Sequence, residues 1–267
     1  GHEQAGGQGG QDGSHGQAPC EVVSCRDCGT LPLGAREACP FPHGRGEAKS
    51  AAMSLVALID YGSGNLHSAG RALREAARLS GSGHEIRITN RAEDILAAER
   101  VVLPGVGHFA DCAAGLRAQA GVVKALEAAC LNGNTPFLGI CVGMQLLAET
   151  GREDGATPGL EWIGGEVSRI QPGEGLRVPH MGWNGLSFSG APHAVLAGLG
   201  AEPHVYFTHS YAFTVTDPAN IAATASYGAQ AITAAVARDN LFGTQFHPEK
   251  SQGVGLRILS NFLTWTP

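Results

Sequence analysis

Phe137-Leu138-Gly139-Ile140-Cys141-Val142-Gly143-Met144-Gln145 decides how the chain is read. A short apolar run breaks at a cysteine that has glycine two residues to either side, and a helix-like stretch follows through Met144-Gln145-Leu146-Leu147-Ala148-Glu149. Strand, sharp turn and helix in the pattern G-x-C-x-G form the thiol counterpart of the G-x-S-x-G nucleophile elbow. A helix N-terminus there favours thiolate over thiol, and the Val142 N–H becomes available to a developing oxyanion. Free cysteines are more often buried small hydrophobes, so the elbow alone does not establish a nucleophile.

Around this elbow, apolar runs alternate with helical patterns, the sign of a parallel sheet covered on both faces. Strands are expected at 55–61, 84–89, 101–103 and 137–140, and helices at 66–79, 92–99 and 110–131. Beyond Gly159 the pattern turns to short strands at 162–170, 185–188, 205–214, 222–227, 231–236 and 241–245, closed by a helix over 254–263. The expected architecture is α/β: a flavodoxin-like, mostly parallel sheet covered by helices, with an added antiparallel strand layer.

The partner for Cys141 lies in Gln245-Phe246-His247-Pro248-Glu249-Lys250. Pro248 disfavours helix at His247, and in extended chain residues two apart project to one side, so an imidazole and a carboxylate stand together. Glu249 can then hold one ring nitrogen while the other faces the thiol, the arrangement of a nucleophile, base and orienter. Gly105-Val106-Gly107, directly after a strand, is expected to supply a second oxyanion donor from Val106, because flanking glycines let that peptide rotate. Gly62-Ser63-Gly64-Asn65 lacks the third glycine of a dinucleotide fingerprint.

Gly139 to Gln145 and Gln245 to Glu249 resemble the two signatures of triad-type class I glutamine amidotransferases. Asp60 to Leu66, Pro104 to Phe109, and Pro179-His180-Met181-Gly182-Trp183-Asn184 are similar to stretches of the glutaminase subunits of imidazole glycerol phosphate synthases. The resemblance runs from about Met53 to the C-terminus. It implies hydrolysis of L-glutamine by Cys141, His247 and Glu249 without metal or cofactor, with Gly107, Gln145, Ser210 and Tyr211 contacting substrate. It also implies a heterodimer with a (β/α)8 cyclase subunit, docked near Asn65, His180, Met181, Trp183, Asn184 and Lys250. The rivals are a glutaminase of pyridoxal phosphate, guanylate or anthranilate synthesis, a non-catalytic module of the same fold, and a free-standing cysteine hydrolase.

Composition narrows the remaining possibilities. The 267 residues are 43% hydrophobic, enough for a substantial core, and the formal net charge of −6 without a basic stripe argues against nucleic-acid binding. No apolar run suits a membrane span or signal peptide, and an odd seven cysteines do not suggest a secreted disulfide framework. A soluble cytoplasmic protein is expected. Residues 1–52, Gly- and Gln-rich and then broken by prolines, are expected to be a disordered extension that need not be native, with the amidotransferase domain at 53–267. Cys20, Cys25, Cys28 and Cys39 have the spacing C-x4-C-x2-C-x10-C, with one close pair only, which disfavours a zinc module. Cys112 and Cys130 are expected to be structural, and no role follows for His209.

Overall fold

In the computed structural model, residues 54–171 and 173–267 are described. The expectations for residues 1–52, including zinc at Cys20, Cys25, Cys28 and Cys39, lie outside the described residues. The chain runs β1 (Leu55–Ile59), α1 (Leu66–Ser80), β2 (Glu85–Thr89), α2 (Ala92–Ala97), β3 (Arg100–Gly105), α3 (Phe109–Ala118), α4 (Val122–Leu126) and β4 (Phe137–Cys141). It continues as α5 (Val142–Gln145), β5 (Thr150–Gly151), β6 (Thr157–Pro158), β7 (Gly165–Arg169), β8 (His180–Gly185), β9 (His204–His209) and β10 (Tyr211–Val215). It ends with β11 (Ile221–Tyr227), β12 (Gln230–Arg238), β13 (Leu241–Thr244) and α6 (Gln252–Thr264).

Seven strands form the main sheet in the order β11-β12-β13-β4-β3-β1-β2. From β13 to β2 all pairings are parallel, and β12 and β11 extend the edge antiparallel. The order β2-β1-β3-β4-β13 is that of a flavodoxin-like doubly wound sheet, which places ligands beyond the carboxyl ends of its strands. β1 and β4 are buried along their whole length, as runs covered on both faces require. α1 is polar outside and buries Ala69, Gly70, Leu73, Ala76 and Ala77, one stripe at helical spacing, while packing beside α6. Asn65 caps it, accepting from the Ser68 N–H at 3.3 Å. A four-stranded sheet, β10-β7-β5-β6, and the hairpin-like pair β8-β9 make up the added layer.

Four expectations need correction. The helix foreseen at 110–131 is broken: α3 stops at Ala118, and Gly121 adopts a left-handed φ of 75° before α4, after which the chain widens into a π turn over Glu127–Asn132. The helix after Cys141 is a single turn, because the loop at 159–163 captures the carbonyls of Leu146, Leu147, Ala148 and Glu149. The strand foreseen at 205–214 is two strands in different sheets, changing over at Ser210, whose carbonyl accepts from the Ile170 N–H. Of the strand foreseen at 185–188, Gly185 is the last residue of β8 and Ser187 makes only an isolated bridge to Thr224, so the strand lies earlier than foreseen.

Candidate active site

Cys141 ends β4 with φ 54° and ψ −111°, a conformation that side chains rarely adopt and that persists only where the surroundings enforce it. The enforcement is close packing on both sides of the elbow. A Cβ on Gly143 would land on the Leu103 carbonyl, and one on Gly139 would meet the Gly143 carbonyl oxygen at 2.6 Å. Val142 opens α5, so its N–H has no acceptor within that turn. One turn sums few peptide dipoles, so α5 supplies less positive field at the sulfur than the longer helix foreseen.

β13 runs parallel to β4 and delivers His247 to the same edge. His247 Nδ1 lies 2.7 Å from Glu249 Oε1, so the ring donates there and leaves Nε2 as the proton acceptor. Both side chains are buried. Burial works against the imidazolium, but hydrogen bonding and charge from Cys141 and Glu249 outweigh it and raise the His247 pKa to about 9. The turn is fixed from behind: the His247 N–H donates to Tyr206 O, and Ser251 Oγ donates to His247 O at 2.7 Å.

These groups open into a cavity of about 530 Å³ lined in part by Gly107, Cys141, Gln145, Ser210, Tyr211 and His247. A larger groove of 680 Å³ runs behind Glu249, beside Ser68 and Arg71, but holds no nucleophile. The sequence-derived residues for nucleophile, base and substrate wall therefore converge at one mouth. Val106 also lines it, yet its N–H points to Ser63 Oγ at 3.3 Å, while Ser63 Oγ donates to the Val106 carbonyl at 2.7 Å. Cys112 Sγ adds a contact to that carbonyl at 3.4 Å, and burial leads the causes that push its thiol pKa up.

Four residues near the mouth were not foreseen in these positions. Gln145 Nε2 donates to Tyr211 O and to Gln245 Oε1, both at 3.0 Å. Gln245 Nε2 in turn reaches Cys141 Sγ at 3.7 Å. The two-residue alternation that pairs His247 with Glu249 carries Gln245 to the same side, and that signal was present in the sequence. Glu153 lines the cavity and accepts from the Phe109 N–H at 2.8 Å, a tertiary contact with no local signature. Buried His209 donates through Nδ1 to Tyr211 O at 2.8 Å and, through Nε2, meets His180 Nδ1 at 2.9 Å. Burial lowers both pKa values to about 4. Ser63, the fourth, is the clasp on Val106.

Of the residues expected at a docking face, Met181 and Trp183 are 62% and 48% exposed on β8. Trp183 stands edge-on to Tyr206, with Lys250 Nζ 5.9 Å from the centroid of the same ring. Asn184 donates to the Ser226 carbonyl at 2.8 Å, and Asn65 and Lys250 also line the cavity. His180 does not face outward with them: it is 3% exposed and turned inward on Phe207 and His209. Among the described residues, no cluster of three or more His, Cys, Asp or Glu is disposed to hold a metal, and no helix is long and apolar enough to cross a membrane.

A parallel sheet with a strained cysteine elbow and an adjacent histidine-carboxylate pair defines a thiol-dependent enzyme of the triad type. The chain belongs to the class-I glutamine amidotransferase family, whose profile it matches over residues 57–265. It is 56% identical over 213 residues to imidazole glycerol phosphate synthase subunit HisH of Rhodospirillum rubrum, covering 79% of this chain and 99% of that protein. The corresponding subunit of Caulobacter vibrioides is 52% identical, with 80% and 100% covered. Among solved structures, a glutamine amidotransferase superposes with a TM-score of 0.59 at 19% identity, covering 79% of this chain and 99% of that one. One from Thermotoga maritima gives 0.52 at 17% identity, with 73% and 76% covered. At those identities the solved structures speak for the fold alone.

Proposed function

We propose that this chain, through a domain spanning 53–267, is the glutamine-hydrolysing subunit of an imidazole glycerol phosphate synthase. It acts in a cytoplasmic heterodimer and passes ammonia to a (β/α)8 cyclase. The observation that carries the chemistry is His247, tied by Nδ1 to Glu249 and raised to about 9 by its neighbours, Cys141 among them. The likeness to the Rhodospirillum rubrum subunit along nearly its whole length carries the pathway.

His247 Nε2 takes the thiol proton, and the Cys141 thiolate attacks the side-chain carboxamide carbon of glutamine. The Val142 N–H receives the oxyanion, joined by the Val106 N–H once that peptide turns away from Ser63. Imidazolium returns its proton to the departing ammonia. Water, deprotonated by the same ring, then cleaves the γ-glutamyl thioester and releases glutamate. Because both Gln145 N–H groups are engaged, its Oε1 is the atom left to accept from the substrate's α-ammonium, and the Glu153 carboxylate provides charge for the same group. Ser210 and Tyr211 with Gly107 form the opposing walls, and Met181, Trp183, Asn184, Asn65 and Lys250 border the cyclase.

The test uses two nitrogen sources. With the cyclase present, Cys141→Ala should abolish glutamine-dependent synthesis and leave synthesis from ammonium salt intact. Glutamate release by Cys141→Ala near the wild-type rate would remove Cys141 from the mechanism. A wild-type pair that forms no imidazole glycerol phosphate from either source would refute the pathway assignment.

A further inference from the structure

We propose that Gln245 is a catalytic residue, its side-chain N–H donating to the Cys141 sulfur and holding it as an in-line thiolate. This rests on the proposed glutamine hydrolysis and adds a member to its machinery. The sidedness of the amide is settled by a backbone acceptor. A carbonyl oxygen can only accept, so the Gln145 atom 3.0 Å from Tyr211 O must be nitrogen. That same nitrogen lies 3.0 Å from one terminal atom of Gln245, which must then be oxygen. The remaining terminal atom of Gln245 is therefore Nε2, and it is this atom that stands 3.7 Å from Cys141 Sγ.

Three features make this a role beyond filling space. Gln245 has no exposed surface, so its N–H meets the sulfur without competition from bulk water, where a bond to a charged group is strongest. α5 is one turn long, so the field of a helix N-terminus is weak at this elbow, and a side-chain donor supplies what the backbone does not. The donor also approaches independently of His247, so it stays beside the sulfur after the imidazolium has given its proton to ammonia, and it is in place when the thioester sulfur must leave again as thiolate. In that last step the C–S bond breaks, its electron pair returns to sulfur, and the Gln245 N–H receives the charge.

Gln245→Glu keeps the shape and the oxygen that Gln145 needs, but sets an acceptor against the sulfur. Gln245→Met removes the donor without adding charge. The direct readout is alkylation of Cys141 by iodoacetamide across pH, followed by mass spectrometry of the peptide so that Cys112 and Cys130 do not contribute. A bond to a charged group is worth roughly one to two pH units, about 10- to 100-fold in rate, so the alkylation midpoint should rise by that much in Gln245→Met and further in Gln245→Glu. kcat for glutamine should fall by a similar factor with KM changed less than threefold, and Gln245→Asn should not rescue because it is one methylene short. An unchanged alkylation profile in folded Gln245→Met would overturn the proposal. If both variants fail to fold, wild-type protein decides: S-methylation of Cys141 should shift a Gln245 side-chain amide proton, and no shift refutes the contact. Alkylation needs no substrate, so loss of the glutaminase assignment itself would show separately, as wild-type protein that releases no glutamate.

Discussion

Replacing Ser63 with alanine should make the isolated chain a faster glutaminase. Ser63 Oγ holds the Val106 residue twice, donating to its carbonyl at 2.7 Å and accepting from its N–H at 3.3 Å. Turning the Gly105–Val106 peptide toward the thioester breaks only the second, longer bond. A neutral hydrogen bond contributes about 0.5 to 1.5 kcal/mol net, so its removal should raise the population of the turned peptide roughly two- to tenfold. The ceiling is the worth of one oxyanion donor, about 10² to 10³ in rate, which a single hydroxyl cannot reach. Glutamate release is measured by a coupled dehydrogenase assay with and without the cyclase and its ligand. The expected result is a two- to tenfold rise in basal kcat with the stimulated rate within twofold of wild type, because in the stimulated state the bond is already broken. The stimulation ratio should therefore fall. A folded Ser63→Ala protein with unchanged or lower basal activity and full stimulation would refute the clasp.

Glu249→Gln should bring the alkaline fall in activity from about pH 9 to lower pH, since the carboxylate helps to hold the imidazolium that protonates ammonia, and a pH-rate profile reads this directly. His180 and His209 are held neutral, with pKa values lowered to about 4, so the unfolded chain binds protons that the folded one does not between about pH 6.5 and 4. Stability should drop as pH falls through that window, and His209→Gln should flatten the decline of Tm; an identical slope would exclude the pair as its source. Trp183→Ala should weaken cyclase binding about tenfold or more in calorimetry, as loss of a large aromatic anchor, while leaving basal glutaminase activity unaltered.

The parallel core was legible because β1 and β4 are apolar from end to end and β3 nearly so, and because α1 carries one clean buried stripe. Local period also placed His247 beside Glu249. What escaped were features decided by distant partners. The helix after Cys141 has good helix formers in Leu146, Leu147 and Ala148, yet its carbonyls are taken by a loop fourteen or so residues on, which no local propensity records. The change of sheet at Ser210 was hidden because alternation continues unbroken on either side of it. Gln245 lay inside a quoted motif, but a role for it required knowing that β13 pairs with β4 in a register that sets Thr244 against Ile140. Ser63, Glu153 and His209 depend on contacts across 43, 44 and 29 residues of sequence, respectively.

The left-handed backbone at Cys141 sets this protein's chemistry against its robustness. A non-glycine residue held at φ 54° and ψ −111° raises the energy of the folded state by on the order of 1 to 3 kcal/mol, while glycine sits there with less strain. A population of variants screened only for heat resistance would thus be expected to enrich glycine at this one position, discarding the thiol first. Thermal hardening of such an enzyme has to be sought elsewhere in the molecule, under a screen that keeps turnover in view.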